Sequence, residues 1–279
     1  MPRPRRTRRR SHLLGKLLVF CALCAVFLWW SNHSLQTERA TFTSPRLPAG
    51  FDGCTIVQLS DLHGAEFGKD NETLIRQVRE AGPDYIFLTG DLLDRYRQTP
   101  RRYAVSLGEA LAEIAPTYFV TGNHEWAFPD IRGFKRELED AGVTVLSNEY
   151  VSLSRNGDHI LLAGIDDPNG FADQKTPAEL AGELRAAEPE AFWMLLAHRN
   201  NYFEKEYSFL GADLVISGHG HGGVIRLPFT DGLLSVERSF FRPTRRDFTR
   251  PTGGRCSFPG GWGTPAGLFV YLTGRRSLY

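Results

Sequence analysis

The chain has 279 residues, 42% of them hydrophobic and 12% aromatic, which is enough apolar material for one large or two small packed domains and excludes a disordered polymer. Its net charge of +1 conceals basic ends: residues 1–16 hold seven Lys and Arg and no acid, and residues 242–279 hold seven Arg against one Asp. The body between them is acidic, so no nucleic-acid partner is expected for it, because phosphate backbones are drawn to Lys and Arg clusters.

Residues 1–12 read as a basic cytoplasmic segment. Leu13 to Trp30 follows as LLGKLLVFCALCAVFLWW, broken only by Lys16, close to the minimum that spans a hydrocarbon core of roughly 30 Å. Six arginines precede this run and Trp29-Trp30 close it, so the charge bias places the N-terminus in the cytoplasm and the remainder outside. A cleaved signal, including a twin-arginine type at Arg9-Arg10, is the competing reading. No A-x-A site follows Trp30, and an uncleaved single-pass anchor in the cell membrane fits better. Cys21, Cys24, Cys54 and Cys256 form neither a zinc spacing nor a disulfide framework.

Residues 31–50 are polar and read as a linker, with the main domain over 51–241. Short apolar runs at 55–59, 85–89, 118–121, 159–165, 192–197 and 214–217 read as buried strands, and helical patterns fall at 70–81, 101–115, 130–141 and 176–187. Strands alternating with helices imply parallel βαβ units, in which ligands gather at the carboxyl ends of the strands.

The polar motifs lie at those ends. They read Asp61-Leu62-His63, Gly90-Asp91, Gly122-Asn123-His124-Glu125, Ala197-His198 and Gly218-His219-Gly220-His221, and they contain five of the eight histidines. Imidazole, carboxylate and amide oxygen together suit divalent transition metals. Taken singly, an Asp-x-His pair is an ordinary turn or helix cap, the Gly-His repeat a flexible turn, and His198 a hydrogen-bonded core residue. Their joint order and placement favour a metal site.

The ordered set resembles the calcineurin-like metallophosphoesterase superfamily over about residues 54–240, and within it the membrane-associated branch of the YaeI and YkuE phosphodiesterases. The resemblance implies a four-layer α/β/β/α sandwich, here preceded by one N-terminal transmembrane helix. It further implies that Asp61, His63 and His221 hold one metal, that Asn123, His198 and His219 hold a second, and that Asp91 bridges them. Two divalent ions, Mn²⁺, Fe²⁺ or Zn²⁺, would sit about 3.5 to 4 Å apart and share a hydroxide that attacks a phosphodiester. His124 would serve the leaving oxygen, with Asp94 orienting it. The implied function is a membrane-anchored phosphodiesterase acting outside the cytoplasm, on a substrate that a nearby bilayer could present as lipid-linked. A pyrophosphatase on a nucleotide-lipid diphosphate, and an inactive surface protein retaining the fold, are the alternatives.

Other residues receive plainer readings. Arg199 and Asn200 either line the substrate pocket or begin a loop, with the loop favoured; Asp166 and Asp167 stand near the site edge, with a turn role favoured; His159 is structural, and His12 and His33 flank the apolar run. From Arg242 onward Arg, Gly and Pro dominate and periodicity fades. Shifting GC-rich codons for Arg246–Arg250 by two nucleotides can give G-L-Y-A-P, and the same shift over Phe258–Thr264 can give S-R-G-L-G-N, segments that resemble the ends of relatives. The expectation is that a frame slip near Phe241 replaced the C-terminus and cost the second sheet its last strands.

Overall fold

The computed structural model describes residues 6–33, 35, 37–171 and 174–220, with three further segments, 248–249, 255–257 and 268–274. The chain divides into two units, Met1–Leu35 and Gln36–Tyr279. The first contains helix α1, Arg6–His33. Leu13, Leu14, Leu17, Leu18, Val19, Phe20, Leu23 and Val26 are all exposed on it. At 100° per residue these positions surround the helix instead of forming one stripe, unlike the surface helix of a globular domain. Among the described residues no helix is long and apolar enough to cross a membrane, and the side chains of residues 27–30, which close the expected span, lie outside them.

The linker expected over 31–50 gives way to structure. Residues 31–33 continue α1, and Glu38–Ser44 form strand β1. Ala40, Phe42 and Ser44 are buried while Arg39, Thr41 and Thr43 are less so, the period of two of a strand with one face inward. Thr and Ser at alternate places make the segment look polar, although they sit readily in a strand.

Four parallel strands follow in the same sheet: β2 Thr55–Leu59, β3 Tyr85–Leu88, β4 Thr117–Phe119 and β5 Thr144–Val145. Helices α2 Glu72–Ala81, α3 Arg101–Ala112 and α4 Ile131–Asp140 make the crossovers. A second sheet holds β6 Glu149–Arg155, β7 Asp158–Gly164, β8 Trp193–Arg199 and β9 Leu214–Gly218, with α5 Pro177–Ala187 between β7 and β8. Strand β6 joins β7 antiparallel through Asn156-Gly157, both at positive φ as a tight hairpin turn requires. That pair was a legible hairpin signal, and β6 is absent from the sequence reading.

The tail retains regular structure despite its composition. Strand β10 Phe248–Thr249 pairs with β9, β11 Arg255–Ser257 pairs with β1, and β12 Leu268–Gly274 runs between β1 and β2. The second sheet therefore has a strand beyond β9, where the sequence led us to expect a loss. In the first sheet, the β12 segment LFVYLTG is rich in β-branched and aromatic residues, which suit a central strand. The rest of 242–279 lies outside the described residues.

Phe42, Ile56 and Phe87 of the first sheet share one core with Leu162, Met194 and Ile216 of the second. Leu161, Leu195 and Val215 point the other way, against Leu180 and Leu184 of α5. On the far face of the first sheet Phe134 of α4 meets Phe119 of β4 edge to face at 6.2 Å. The layers thus run helix, sheet, sheet, helix. Each large side chain so buried is worth roughly 1.5 to 3 kcal/mol, which frees the strand ends to carry polar groups.

Candidate metal centre

Beyond the ends of β2 and β3 the two chains stay joined. The N–H groups of Asp61, His63 and Gly64 donate to the carbonyls of Gly90, Asp91 and Leu92 at 3.0, 2.9 and 2.9 Å. Within this zip Asp61, His63 and Asp91 hold φ of 55, 48 and 53°, and His219 beyond β9 holds 66°. Left-handed backbone costs a non-glycine residue roughly 1 to 2 kcal/mol. Of the ten non-glycine residues at positive φ among the described residues, these four are candidate ligands gathered at the strand ends, where strain serves a site. Two glycines allow the loops to approach. A Cβ on Gly122 would collide with the Asp91 carboxylate, and one on Gly90, itself at φ 89°, would lie 2.5 Å from the Gly122 nitrogen.

The second sheet supplies His198 through an irregularity. Ala197 pairs with Ser217 and Arg199 with Gly218, so His198 is the extra residue of a bulge at the end of β8. A bulge re-aims a side chain. Here it turns the ring toward the first sheet, where Nδ1 donates to the Thr89 carbonyl at 2.8 Å. A carbonyl only accepts, so the Nδ1 proton is committed and Nε2 carries the lone pair of the neutral ring.

That lone pair faces other lone pairs. Nε2 of His198 lies 3.3 Å from Asp91 Oδ2, 3.3 Å from Asn123 Oδ1 and 3.1 Å from His219 Nδ1. Only one proton could serve at Nε2, and it could bond only one of the three neighbours. A divalent cation satisfies all of them, and imidazole with carboxylate and amide oxygen is its proper donor set. On the other side of Asp91, Oδ2 stands 3.8 Å from His63 Nε2. Donor atoms of His63, Asp91 and His124 lie within 4.8 Å of one another, and so do those of Asp91, His198 and His219. Asp91 belongs to both groups.

Charge responds accordingly in the metal-free protein. Burial opposes a charged His198, yet the Asp91 carboxylate beside it holds its pKa up at about 10. Burial likewise disfavours an ionised Asp91, and the His198 imidazolium outweighs this and lowers its pKa. Burial and the His198 charge push His219 down to about 4. One proton on His198 thus stands where the donor set asks for a cation.

Asp61 is buried, and its Oδ2 accepts from the His219 N–H at 2.9 Å and the Ser60 hydroxyl at 2.6 Å. The bond from His219 ties the β9 loop to the β2 loop. His221, the remaining expected ligand, lies outside the described residues.

His124 is buried, with its pKa lowered by burial against the pull of Asp91 and Asp94. The orienting bond expected from Asp94 is a longer contact, Oδ1 to His124 Nδ1 at 3.6 Å. The N–H of Arg95 donates to that nitrogen at 3.2 Å, and Asp94 Oδ1 accepts instead from the N–H of Tyr96 at 2.8 Å. Nδ1 is therefore an acceptor, and the neutral ring keeps its proton on Nε2.

Several residues resolve differently from the sequence reading. Arg199 is no simple loop start: its guanidinium makes a bidentate pair with Asp167 at 2.7 and 3.1 Å. Asp166 accepts from Lys135 at 2.6 Å and from Thr121 at 2.6 Å, so both acids serve buried networks beyond a turn. His159 pairs with Glu188 at 2.7 Å on the surface. Glu125, which received no role, accepts three backbone N–H groups from the site loops. Burial raises its pKa to about 7, with Asp91 adding to the effect. Its place in the Gly-Asn-His-Glu motif was the available signal.

Residues 54–223 match the protein family described as calcineurin-like phosphoesterase. The chain is 33% identical over 202 residues to the uncharacterized metallophosphoesterase YkuE of Bacillus subtilis, covering 71% of this chain and 68% of that protein. It is 31% identical over 210 residues to the uncharacterized metallophosphoesterase YkoQ of the same organism, covering 72% and 74%. Similarity to a Bos taurus transmembrane protein with metallophosphoesterase domain is 32% over 216 residues, 70% of this chain but 48% of that one, so the chain spans under half of the bovine relative.

Proposed function

From the premise that the chain belongs to the calcineurin-like phosphoesterase family and is a metal-dependent phosphoester hydrolase, we propose that it is a membrane-anchored, two-metal phosphodiesterase. The observation that carries this reading is that Asp91 has donor atoms of His63 and His124 near it in one group and of His198 and His219 in another. His63 with Asp61, and His221 after them in sequence, would complete one half-site; Asn123, His198 and His219 would complete the other. When bound, divalent cations such as Mn²⁺, Fe²⁺ or Zn²⁺ supply Lewis-acid polarisation of a phosphoryl oxygen and acidify water.

The chain's own groups do the rest. Thr89 fixes the His198 tautomer and the Arg95 N–H fixes that of His124. His124 thereby presents its Nε2–H as a hydrogen-bond donor that stabilises the charge developing on the oxygen that leaves the phosphorus, with Asp94 Oδ1 3.6 Å from Nδ1 on the other side of the ring. Burial of Asp91 and His198 excludes water from behind the reacting centre.

Helix α1 supports the anchor. It carries apolar side chains exposed on every face, and six arginines fall in residues 1–10. An anchor on the same chain suits a phosphodiester presented at the outer face of the bilayer, including a lipid-linked one. The test is manganese-loaded protein assayed with bis-p-nitrophenyl phosphate against the monoester, with His124→Ala and Asp91→Asn as controls, and membrane fractionation of the chain with and without residues 1–35. Diester turnover that survives both substitutions or chelation overturns the mechanism; a full-length chain recovered free of membrane overturns the anchor.

A further inference from the structure

Glu125 follows His124 directly and is fully buried, yet the chemistry above gives it nothing to do. Its Oε2 accepts the N–H of Asp91 at 2.8 Å and the N–H of Gly122 at 2.8 Å, while Oε1 accepts the N–H of Leu93 at 3.0 Å. One carboxylate therefore ties the loop after β3 to the loop after β4. The link is returned in the opposite direction, because the N–H of His124 donates to Asp91 Oδ1 at 2.8 Å. Asp91 is gripped at its backbone and at its carboxylate by two consecutive residues.

Burying a carboxylate is expensive, and bonds to amides offset the cost only while all are made. An apolar side chain would fill the same space but leave three buried N–H groups unpaired, so packing alone does not account for Glu125. The grip secures the left-handed Asp91, whose strain would otherwise relax and swing its carboxylate. It also fixes the spacing of Asp91 from Asn123 and His124, since Gly122 on the same loop is bonded by the same oxygen.

We propose that Glu125 is the positioning residue of the metal centre, holding the Asp91 carboxylate where both donor groups can share it. This rests on the two-metal reading above. It predicts that loss of Glu125 weakens both half-sites together although every ligand remains.

The test uses the full chain in detergent as wild type, Glu125→Gln, Glu125→Asp and Glu125→Ala. Each is stripped with chelator and titrated with Mn²⁺, reading bound metal by equilibrium dialysis and the exchange-coupled manganese pair by electron paramagnetic resonance. The expected result is a folded Glu125→Gln variant by circular dichroism whose manganese affinity falls at least tenfold for both ions and whose coupled signal is lost, with Glu125→Ala more severe. If Glu125→Ala fails to fold, the near-isosteric Gln variant carries the same measurement. Variants that unfold more readily but bind a coupled pair with wild-type affinity and spectrum overturn the proposal, leaving Glu125 a structural residue. A wild-type chain that binds no coupled pair overturns the two-metal reading itself.

Discussion

Thr89 accepts the Nδ1 proton of His198 at 2.8 Å, so a backbone carbonyl just past β3 determines which nitrogen a bulged residue of β8 turns toward Asp91. The two sheets meet at this bond. A ring with its proton committed on one side can offer only a lone pair on the other, and the Asp91 carboxylate raises the affinity of that lone pair for a second proton.

Replacing His198 by alanine removes the cationic ring and leaves the Asp91 carboxylate buried beside no positive charge. Breaking a buried pair in this way costs about 3 kcal/mol or more. Urea unfolding in the presence of chelator should show that loss, and added Mn²⁺ should raise the midpoint of wild type while leaving the variant nearly unmoved. A metal-free variant as stable as wild type would contradict the pairing.

His124→Gln should slow hydrolysis by roughly 10² to 10⁴, and the deficit should grow as the leaving alcohol becomes more basic. Aryl and alkyl methylphosphonate or phosphate diesters spanning several pKa values provide the measurement. A uniform deficit across leaving groups would place the ring's role in binding, not in stabilising the leaving oxygen from Nε2–H.

Gly122→Ala adds a single methyl where Asp91 already stands. The fold should persist by circular dichroism, because the inter-sheet core lies elsewhere, but bound Mn²⁺ should fall to a small fraction of wild type by metal analysis. Unchanged metal content would show that the loops separate more easily than this close approach implies.

Stability should fall in alkali. Burial, and then the Asp84 carboxylate, push the Cys54 thiol up to about 12, and burial followed by Cys54 pushes the Tyr85 phenol up to about 12. These groups ionise earlier in the unfolded chain, near 9 to 10. Their contribution is therefore complete below pH 9 and is lost as pH rises toward 12. Thermal melts from pH 8 to 11 check the sign, and peptide mapping after alkylation at pH 8 should find Cys54 unmodified until denaturant is added.

The strands β2, β3, β7, β8 and β9, the four crossover helices and the motifs at the strand ends were all legible one residue at a time. Apolar runs and their polar termini are local features, and the parallel architecture follows from their alternation. Strand β12 was not legible, because its place between β1 and β2 depends on partners more than 200 residues away in the chain. Strand β1 was hidden by Thr and Ser, whose inward or outward sense exists only once a sheet is present.

At the site the division is similar. The types and order of Asp61, His63, Asp91, Asn123, His124, His198 and His219 point to a metal centre from the sequence alone. The left-handed backbones of Asp61, His63, Asp91 and His219, the bulge at His198, the Arg95 bond that replaces the expected Asp94 bond at His124, and the triple grip of Glu125 emerge only when separate loops approach. Residue identity fixes which donors and acceptors exist, but the direction of each hydrogen bond is set by how two backbones face each other, and that is a property of the packed sheets.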